Sequence, residues 1–564
     1  MKLSTRIKEV MKGNLATSKD TADSIEQLII EIDQLISIQL NEIIHHEEFQ
    51  KLEASWRGLS YLVNQTETGT MLKLRVLNAS KQDLWKDLYK VQDFDQSGLF
   101  KKVNEEPWGP FGGAPFGAII GDYEFGHGPK DISLLGRISN VAAAAHAPFL
   151  SAASSEMFNL DSFTHIPNRW DMSKIFESSE YVQWKSFREF EDSLFVGLTL
   201  PHVLMRLPYG PETAPVEAFN FKEDVDGKDH KKYLWGNAAY ALGARLTNAF
   251  AKYGWWPAIC SVEGGGLVEG LPSHTFNTDD GEMRVKGSTE IAITEKIEMP
   301  LRGLGFIPLL DGAGTGRAAF FGMSSCRNPK DNYDYPEANK DARLRVQLPY
   351  VLTTSRFAHY LKAIVWEKNG SFMTRQKCED FLNTWLSNYV LRESWDTASM
   401  SSKAQYPLRQ SCVDVVEVPG KPGVDKVVMF IEPQFLLDEL PNGCLRAVVE
   451  LPAPLKRWTA KDGLSTECHD NGQKKFEGHY SGGKLDGVCT WWYTNGQKKA
   501  EGHYKDGKLD GACTWWHANG QKEAEEYFKH GIEDGIWTKW SEDGKKTYEK
   551  NFIGGDEDQR RESK

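Results

Sequence analysis

AIIGDYEF (118–125) is a short apolar run that begins where the proline- and glycine-rich loop PWGPFGGAP (107–115) ends. In the stretch after it, Ile132, Leu135 and Ile138 share a helical face. A brief apolar run bounded by chain-breaking residues predicts a strand, and the three-residue spacing predicts an amphipathic helix. Together they form a β-loop-α unit. Further along, Phe195–Leu200 and Gly305–Leu310 read as strands, alternating with long helical patterns over Leu234–Tyr253 and Val346–Glu367. Such alternation predicts an α/β core from roughly residue 56 to roughly residue 400.

Upstream, Ile25, Ile29, Ile32, Ile36, Leu40 and Ile43 recur every three or four residues, with Asp20 and Ser24 placed to cap the start. This predicts an N-terminal helical segment (1–55) whose apolar face packs into the core of the same chain, a partner's groove being the alternative. Downstream the texture changes to short strands: CVDVVEV (412–418), the turn PGKPG (419–423), KVVMFIE (426–432) and CLRAVVELP (444–452). Two or three strands leave edges that must be covered or paired, so these strands, which end the core domain (56–455), are candidates for a sheet shared between chains.

After a linker at 456–464 the sequence repeats itself. Asn471-Gly472, Asn495-Gly496, Asn519-Gly520 and Asp543-Gly544 are hairpin-turn dipeptides spaced 24 residues apart. Thr466, Thr490, Thr514 and Thr538 keep the same register, as do Asp486-Gly487, Asp510-Gly511 and Asp534-Gly535 and the tryptophans Trp492, Trp516 and Trp540. An all-β hairpin array over 465–553 follows, with these tryptophans expected to stack between neighbouring units. The tail GGDEDQRRESK (554–564) has a composition that predicts disorder.

Against 79 Asp+Glu the chain sets 67 Lys+Arg, a formal net charge of -12. It lacks the basic excess that draws nucleic acid or anionic lipid. Charges scattered through MKLSTRIKEVMKGNLATSKD leave no signal-peptide core, and VAAAAHAPFLSAA (141–153) is too short and interrupted to span a bilayer. A cytoplasmic protein without membrane insertion is expected. The eight cysteines include no C-x-x-C pair and read as reduced core thiols.

No motif for catalysis stands out. HHEEF (45–49) places its histidines side by side rather than on one helical face, and reads as solvated helix rather than a metal site. EGGGLVEG (263–270) and DGAGTG (311–316) lack the G-K-[ST] continuation of a phosphate loop and read as tight backbone turns. His479, His503, Cys489 and Cys513 recur with the repeat but form no ligand pair at finger spacing, so duplication accounts for them. Neither a cofactor nor a catalytic residue is predicted.

Between His46 and Pro452 lie EFQKLEASWRGLSYLV (48–63), PFGAIIGDYEF (115–125), FLSAASSEMF (149–158), FVGLTLPHVLMRLPYG (195–210), NAAYALGARLTNAFAKYGWWPAI (237–259), EGGGLVEGLPSHTF (263–276) and RLRVQLPYVLTTSRFAHYLKAIV (343–365). In these runs the sequence resembles the large subunit (TssC/VipB type) of the type VI secretion contractile sheath. The resemblance implies a structural subunit and not an enzyme. Its implied partners are a small sheath subunit in a heterodimer, further heterodimers in a helical tube, an inner tube protein, and an AAA+ unfoldase that recycles the contracted sheath. It also implies that the late strands, with Val428, Phe430, Leu445 and Val448 as contact residues, join strands of neighbouring subunits. Relatives are expected to carry several dozen residues ahead of Lys2–Asp20, including a linker strand and, in some, the helix read by the unfoldase. Either Met1 is not the true start, or assembly and recycling differ. The 465–553 array resembles MORN-like, YwqK-type repeats, whose ligand the sequence does not reveal. The rival expectation makes this array the functional part, an antitoxin-like or adaptor module that the sheath region displays. An enzyme resting on the glycine loops is a weaker rival.

Overall fold

In this computed structural model the first strand, β1 (Ile119–Phe125), pairs in parallel with β2 (Phe149–Ala153), Ile119 opposite Phe149 and Phe125 opposite Ala153. The described residues are 18–557 except 109–113, 169–171, 218, 228, 278–281, 313–316, 330–335, 369–374, 394–396, 418–424, 434–444, 450–462, 470–472 and 482–483. The turn PGKPG (419–423) and most of the linker thus lie outside them. Two compact units divide the chain, the second taking up residues 416–426 and 450–564.

The first unit is built on a six-stranded sheet. β3 (Val196–Leu200) and β5 (Phe306–Gly312) continue the parallel pairing of β1 and β2. β6 (Arg317–Phe320) then turns back antiparallel on β5, and β4 (Leu267–Val268) adds at its edge, giving the order β1-β2-β3-β5-β6-β4. Every residue of FLSAA and VGLTL is buried. That is the condition of parallel strands covered on both faces, and it explains why these runs read as apolar throughout instead of alternating.

One cover is α4 (Pro129–Ala145), which starts on a proline and ends at His146 in the left-handed conformation (φ 50°). Its Leu135 and Ile138 pack with Leu198 and Phe306. On the other face α5 (Ala239–Tyr253) and α6 (Leu348–Lys368) place Leu242, Leu246, Leu348 and Leu352 against Ile307 and Leu309. α5 starts later than the apolar spacing predicts because Trp235–Gly236 is a short strand and the Asn237 side chain accepts the Ala239 N–H at 2.8 Å. Against α5 lies α2 (Glu47–Asn64), buried through Ala54, Gly58 and Leu62. A Cβ at Gly58 would lie 2.3 Å from the Tyr240 ring, so only glycine permits this approach.

α1 (Ser18–Ile44) forms as its spacing predicts, but its apolar face does not enter the core. Ile25, Ile29, Ile32, Ile36 and Ile43 are exposed, Ile29 by 52%. Its last turn meets the rest of the chain, with Ile44 buried and Asn41 Oδ1 accepting the Asp224 N–H. Helical periodicity establishes an apolar face without saying which molecule covers it.

The late strands are β7 (Leu408–Glu417), β8 (Asp425–Pro433) and β9 (Leu445–Val449), a three-stranded sheet with β8 in the middle. Beyond the linker a ten-stranded sheet begins at Gly463, two residues before the expected boundary. Its main strands are β10 (Gly463–Cys468), β11 (Lys474–Ser481), β12 (Lys484–Trp492), β13 (Lys498–Lys505), β14 (Lys508–Trp516), β15 (Lys522–Lys529), β16 (Gly535–Trp540) and β17 (Lys546–Ile553). All pair antiparallel, so each 24-residue unit joins the next edge to edge through strand hydrogen bonds. The chain stays ordered past the expected limit, since Asp556–Glu557 pairs back onto Phe552–Ile553. The rest of the expected disordered tail, 558–564, lies outside the described residues.

Candidate assembly surfaces and the repeat array

Val428 and Phe430 lie on the middle strand β8, opposite Val448 and Arg446 of β9, with Leu445 opposite Ile431. β8 is hydrogen-bonded on both sides within the chain, and Val428 is buried while Phe430 is half-buried. Its backbone groups are therefore already used. Leu445 and Val448 belong to β9, which has no further strand beside it among the described residues. At the other end of the sheet α7 (Arg375–Ser387) lies along β7. Asn383 Oδ1 accepts from Val413 N–H at 2.8 Å, Asn383 Nδ2 donates to the Val413 carbonyl at 2.9 Å, and Glu379 Oε2 accepts from Val415 N–H at 3.1 Å.

Ionic networks hold the N-terminal helices and loops to the core. Arg206 bridges Glu53 of α2 (2.8 Å) and the buried Glu223 (2.6 Å), and Glu223 also meets His45 at 3.1 Å. His45 of the HHEEF run is thus a largely covered partner of Glu223 rather than a solvated side chain. Further in, His202 lies between Glu290 (Nδ1–Oε2 2.5 Å) and Glu124 (Nε2–Oε1 2.9 Å), and His230 reaches Glu290 at 2.9 Å. Burial alone pushes a histidine down and a carboxylate up. Here the flanking opposite charges outweigh it, holding His202 up at about 10 and Glu290 down at about 2. These residues come from segments far apart in the chain, and no sequence motif announces them.

The EGGG segment is shaped by its neighbours. Gly265 has φ 90° and a Cβ there would lie 2.4 Å from the Ala258 carbonyl oxygen, while one at Gly266 would lie 2.2 Å from that of Phe320. Close backbone approach explains the glycines, as for a tight turn. Asp311 and Gly312 of the second glycine cluster end β5, and 313–316 lie outside the described residues. Burial pushes the Cys260 and Cys326 thiols up to about 12, which keeps them protonated and unreactive. Among the described residues no group of three or more His, Cys, Asp or Glu is arranged to hold a metal ion.

In the array, pairing register fixes which side chains share a face. Phe476, Trp491, Ala500, Trp515, Ala524 and Lys539 lie side by side across successive strands. The neighbouring row is Gly478, Cys489, Gly502, Cys513 and Glu526. A Cβ at Gly478 would lie 2.8 Å from Cys489 Sγ and one at Gly502 2.6 Å from Cys513 Sγ, so each glycine makes room for a buried thiol. His479 and His503, one residue on from these glycines, point to the opposite face. The recurring cysteines and histidines do not converge.

Trp491 and Trp515 flank a shallow groove of about 190 Å³ with Ala500, Gly502, Tyr504, Leu509 and Cys513. Ring contacts run through Trp491 to Phe476 (5.2 Å) and Tyr504 (6.1 Å), and through Trp537 to Phe528 (5.2 Å) and Phe552 (4.9 Å). Trp492, Trp516 and Trp540 are half-buried at strand ends on the other face, with Lys474, Lys498 and Lys522 5.7, 5.8 and 6.0 Å from their ring centres. Their carbonyls accept from the side chains of His469, Tyr493 and His517, which ties each turn to the next unit. Asn495 and Asn519 add bonds to the Ala518 and Glu542 carbonyls.

An α/β core, a small late sheet with no strand beyond β9 among the described residues and a helix with an exposed apolar face suit a subunit that assembles with others, and the family matches give its class, that of contractile tail-sheath proteins. Residues 26–327 match the family described as EvpB/VC_A0108, tail sheath N-terminal domain, and residues 337–450 match its tail sheath gpW/gp25-like domain. Residues 485–506 and 509–530 match the MORN repeat variant. The type VI secretion system sheath protein TssC1 of Pseudomonas aeruginosa is 46% identical over 438 residues, covering 77% of this chain and 87% of that protein. The chain belongs to the VipB/TssC family of type VI secretion sheath proteins, with MORN-type repeats at its C-terminal end, and is a structural subunit of that sheath.

Proposed function

We propose that this chain pairs with a smaller sheath subunit in the cytoplasm and acts without catalysis. Its heterodimers stack into a helical tube around an inner tube protein. Contraction drives the inner tube outward, and an AAA+ unfoldase takes the spent sheath apart. The observation that carries the pairing step is α1, whose isoleucine stripe no described residue covers and which an apolar surface of a partner would bury. The uncovered edge of β9 supports the stacking step, because an unpaired edge strand accepts a strand from another molecule. Val448 and Leu445 belong to that edge, whereas Val428 and Phe430 act from within the sheet by holding β9 in place.

Co-expression with the small sheath subunit, followed by size-exclusion chromatography and negative-stain microscopy, tests the reading. A stable heterodimer or tubes are expected, with poor solubility when the chain is expressed alone. A well-behaved monomer that ignores the small subunit would defeat it.

A second reading gives the array a binding role, antitoxin-like or as an adaptor, with the sheath region displaying it. The groove between Trp491 and Trp515 favours it, since aromatic rings on an open sheet face offer apolar contact area. A chain that fails to polymerise with the small subunit, yet captures a protein partner only while Trp491 and Trp515 are intact, would establish this reading over the first.

A further inference from the structure

Asn383 and Glu379 stand one turn apart on α7, and both bond to the backbone of β7. The Asn383 amide accepts from Val413 N–H and donates to Val413 C=O, the two-point exchange that a residue of an adjacent strand makes. Glu379 takes Val415 N–H with a charge-assisted bond. Asn383 Nδ2 also donates to the Glu379 carbonyl at 3.1 Å, which fixes the direction of the amide. Val413 and Val415 are two residues apart, so their N–H groups point the same way, and β8 must lie on the other side. The outer edge of β7 is thus closed at its centre, while β9 carries no such cover among the described residues.

We propose that Asn383 and Glu379 are edge guards that occupy the outer hydrogen-bonding groups of β7, so that a strand from a neighbouring subunit adds to this sheet beside β9 only. A strand approaching β7 would have to break three hydrogen bonds and strip water from the Glu379 carboxylate. One-sided addition matters for a polymer. A sheet open at both edges could accept two strands and branch, whereas one open edge gives each subunit a single acceptor. The proposal rests on the sheath reading for the identity of the incoming strand, but not for the closure of β7.

The test uses the full chain co-expressed with its small subunit, as wild type, Asn383→Ala, Glu379→Gln and the double variant Glu379→Ala/Asn383→Ala. The probe is a synthetic peptide copying residues 424–433 (VDKVVMFIEP), the natural antiparallel neighbour of β7, fitted with a photo-cross-linker. The double variant should bind roughly one peptide per chain more than wild type, by strand addition, and cross-link it within 408–417. Glu379→Gln keeps an acceptor oxygen and should behave as wild type. Two results overturn the proposal: a double variant that loses thermal stability yet gains no peptide, which is what a merely structural cap gives, or a wild-type chain that already cross-links at 408–417. If the double variant does not fold, Asn383→Ala is read by the same criteria. Wild-type tube formation is scored separately, so a chain that never polymerises defeats the sheath reading and leaves the peptide result to decide the guard.

Discussion

His202 and Glu290, 88 residues apart in the chain, meet at 2.5 Å inside the first unit, with Glu124 on the other side of the imidazole. The ring joins the loop after β3 to β1 and to the segment ahead of β5, and it does so as a cation. Replacing it by glutamine leaves Glu290 with a buried charge and one fewer partner, which should cost about 3–5 kcal/mol. The pH dependence follows from linkage. His202 is raised from 6.5 to about 10, so its contribution is fully present below pH 6.5 and is lost as pH rises through 10. Glu290 is lowered from 4.5 to about 2, so its contribution is present above pH 4.5 and is lost as pH falls toward 2. Urea unfolding of the wild-type heterodimer should show a loss on the alkaline side that His202→Gln removes. An unchanged alkaline arm in that variant would show that the pair does not act in this way.

Gly58 supports the Tyr240 ring directly, with room for no Cβ. Gly58→Ala gains about 1 kcal/mol of helix propensity in α2 but forces the ring or the helix to move, an overpacking cost of about 1–3 kcal/mol. A net loss of thermal stability is expected, and it should shrink when Tyr240→Leu is added. Equal losses in the single and double variants would place the strain elsewhere.

Successive N–H groups of a strand point to opposite sides. In β9, therefore, one of Ala447 and Val448 bonds toward β8 and the other toward the open edge. Proline at one of these positions should disrupt the chain's own sheet, while proline at the other should leave a folded heterodimer that forms no tubes. Proline at Val428 or Phe430, on the middle strand, should damage the sheet in either case. Wild-type tubes from both β9 variants would remove this edge from the assembly.

What the sequence shows clearly is what depends on neighbours close in the chain. The apolar runs of β1, β3 and β5 and the spacing within α4 are local, and so is the 24-residue register that sets out the array. Even there, identical dipeptides diverge. Asp506-Gly507 takes positive φ at both residues (52° and 81°) and turns a two-residue hairpin, whereas in Asp510-Gly511 only the glycine does (125°), inside β14. Strand length, not dipeptide identity, decides which becomes a turn. The isoleucines of α1 announce a face without naming its cover. Asn383 and Glu379 carry no signal at all, because a helix residue that caps a strand 30 residues later is defined only by packing. Trp492, Trp516 and Trp540 likewise stand out by their register in the repeat, whereas the ring contacts are made by Trp491 and Trp537.

That last contrast is testable. Trp537 lies between Phe528 and Phe552 and donates its indole N–H to the Tyr527 carbonyl at 3.1 Å. Trp516 is half-buried at a strand end beneath Lys498. Truncating a half-buried ring should cost about half of the ~3–5 kcal/mol seen in full cores. Both rings are half-buried, so each truncation should cost about 2 kcal/mol. Trp537→Ala also loses two ring contacts of ~0.5–1.5 kcal/mol each, against one exposed cation–π contact of ~0.5–1 kcal/mol for Trp516→Ala, and should be the more destabilising. Limited proteolysis of the full chain reads this directly. Cleavage in 450–462 should release an array fragment that persists in wild type and in Trp516→Ala, and is digested fastest in Trp537→Ala, with the first unit unaffected in all three. If Trp516→Ala is the more labile, the end-of-strand tryptophans hold the array together and the ring row through Trp537 is secondary. If the 450–462 segment resists cleavage in wild type, the array is not an independent unit.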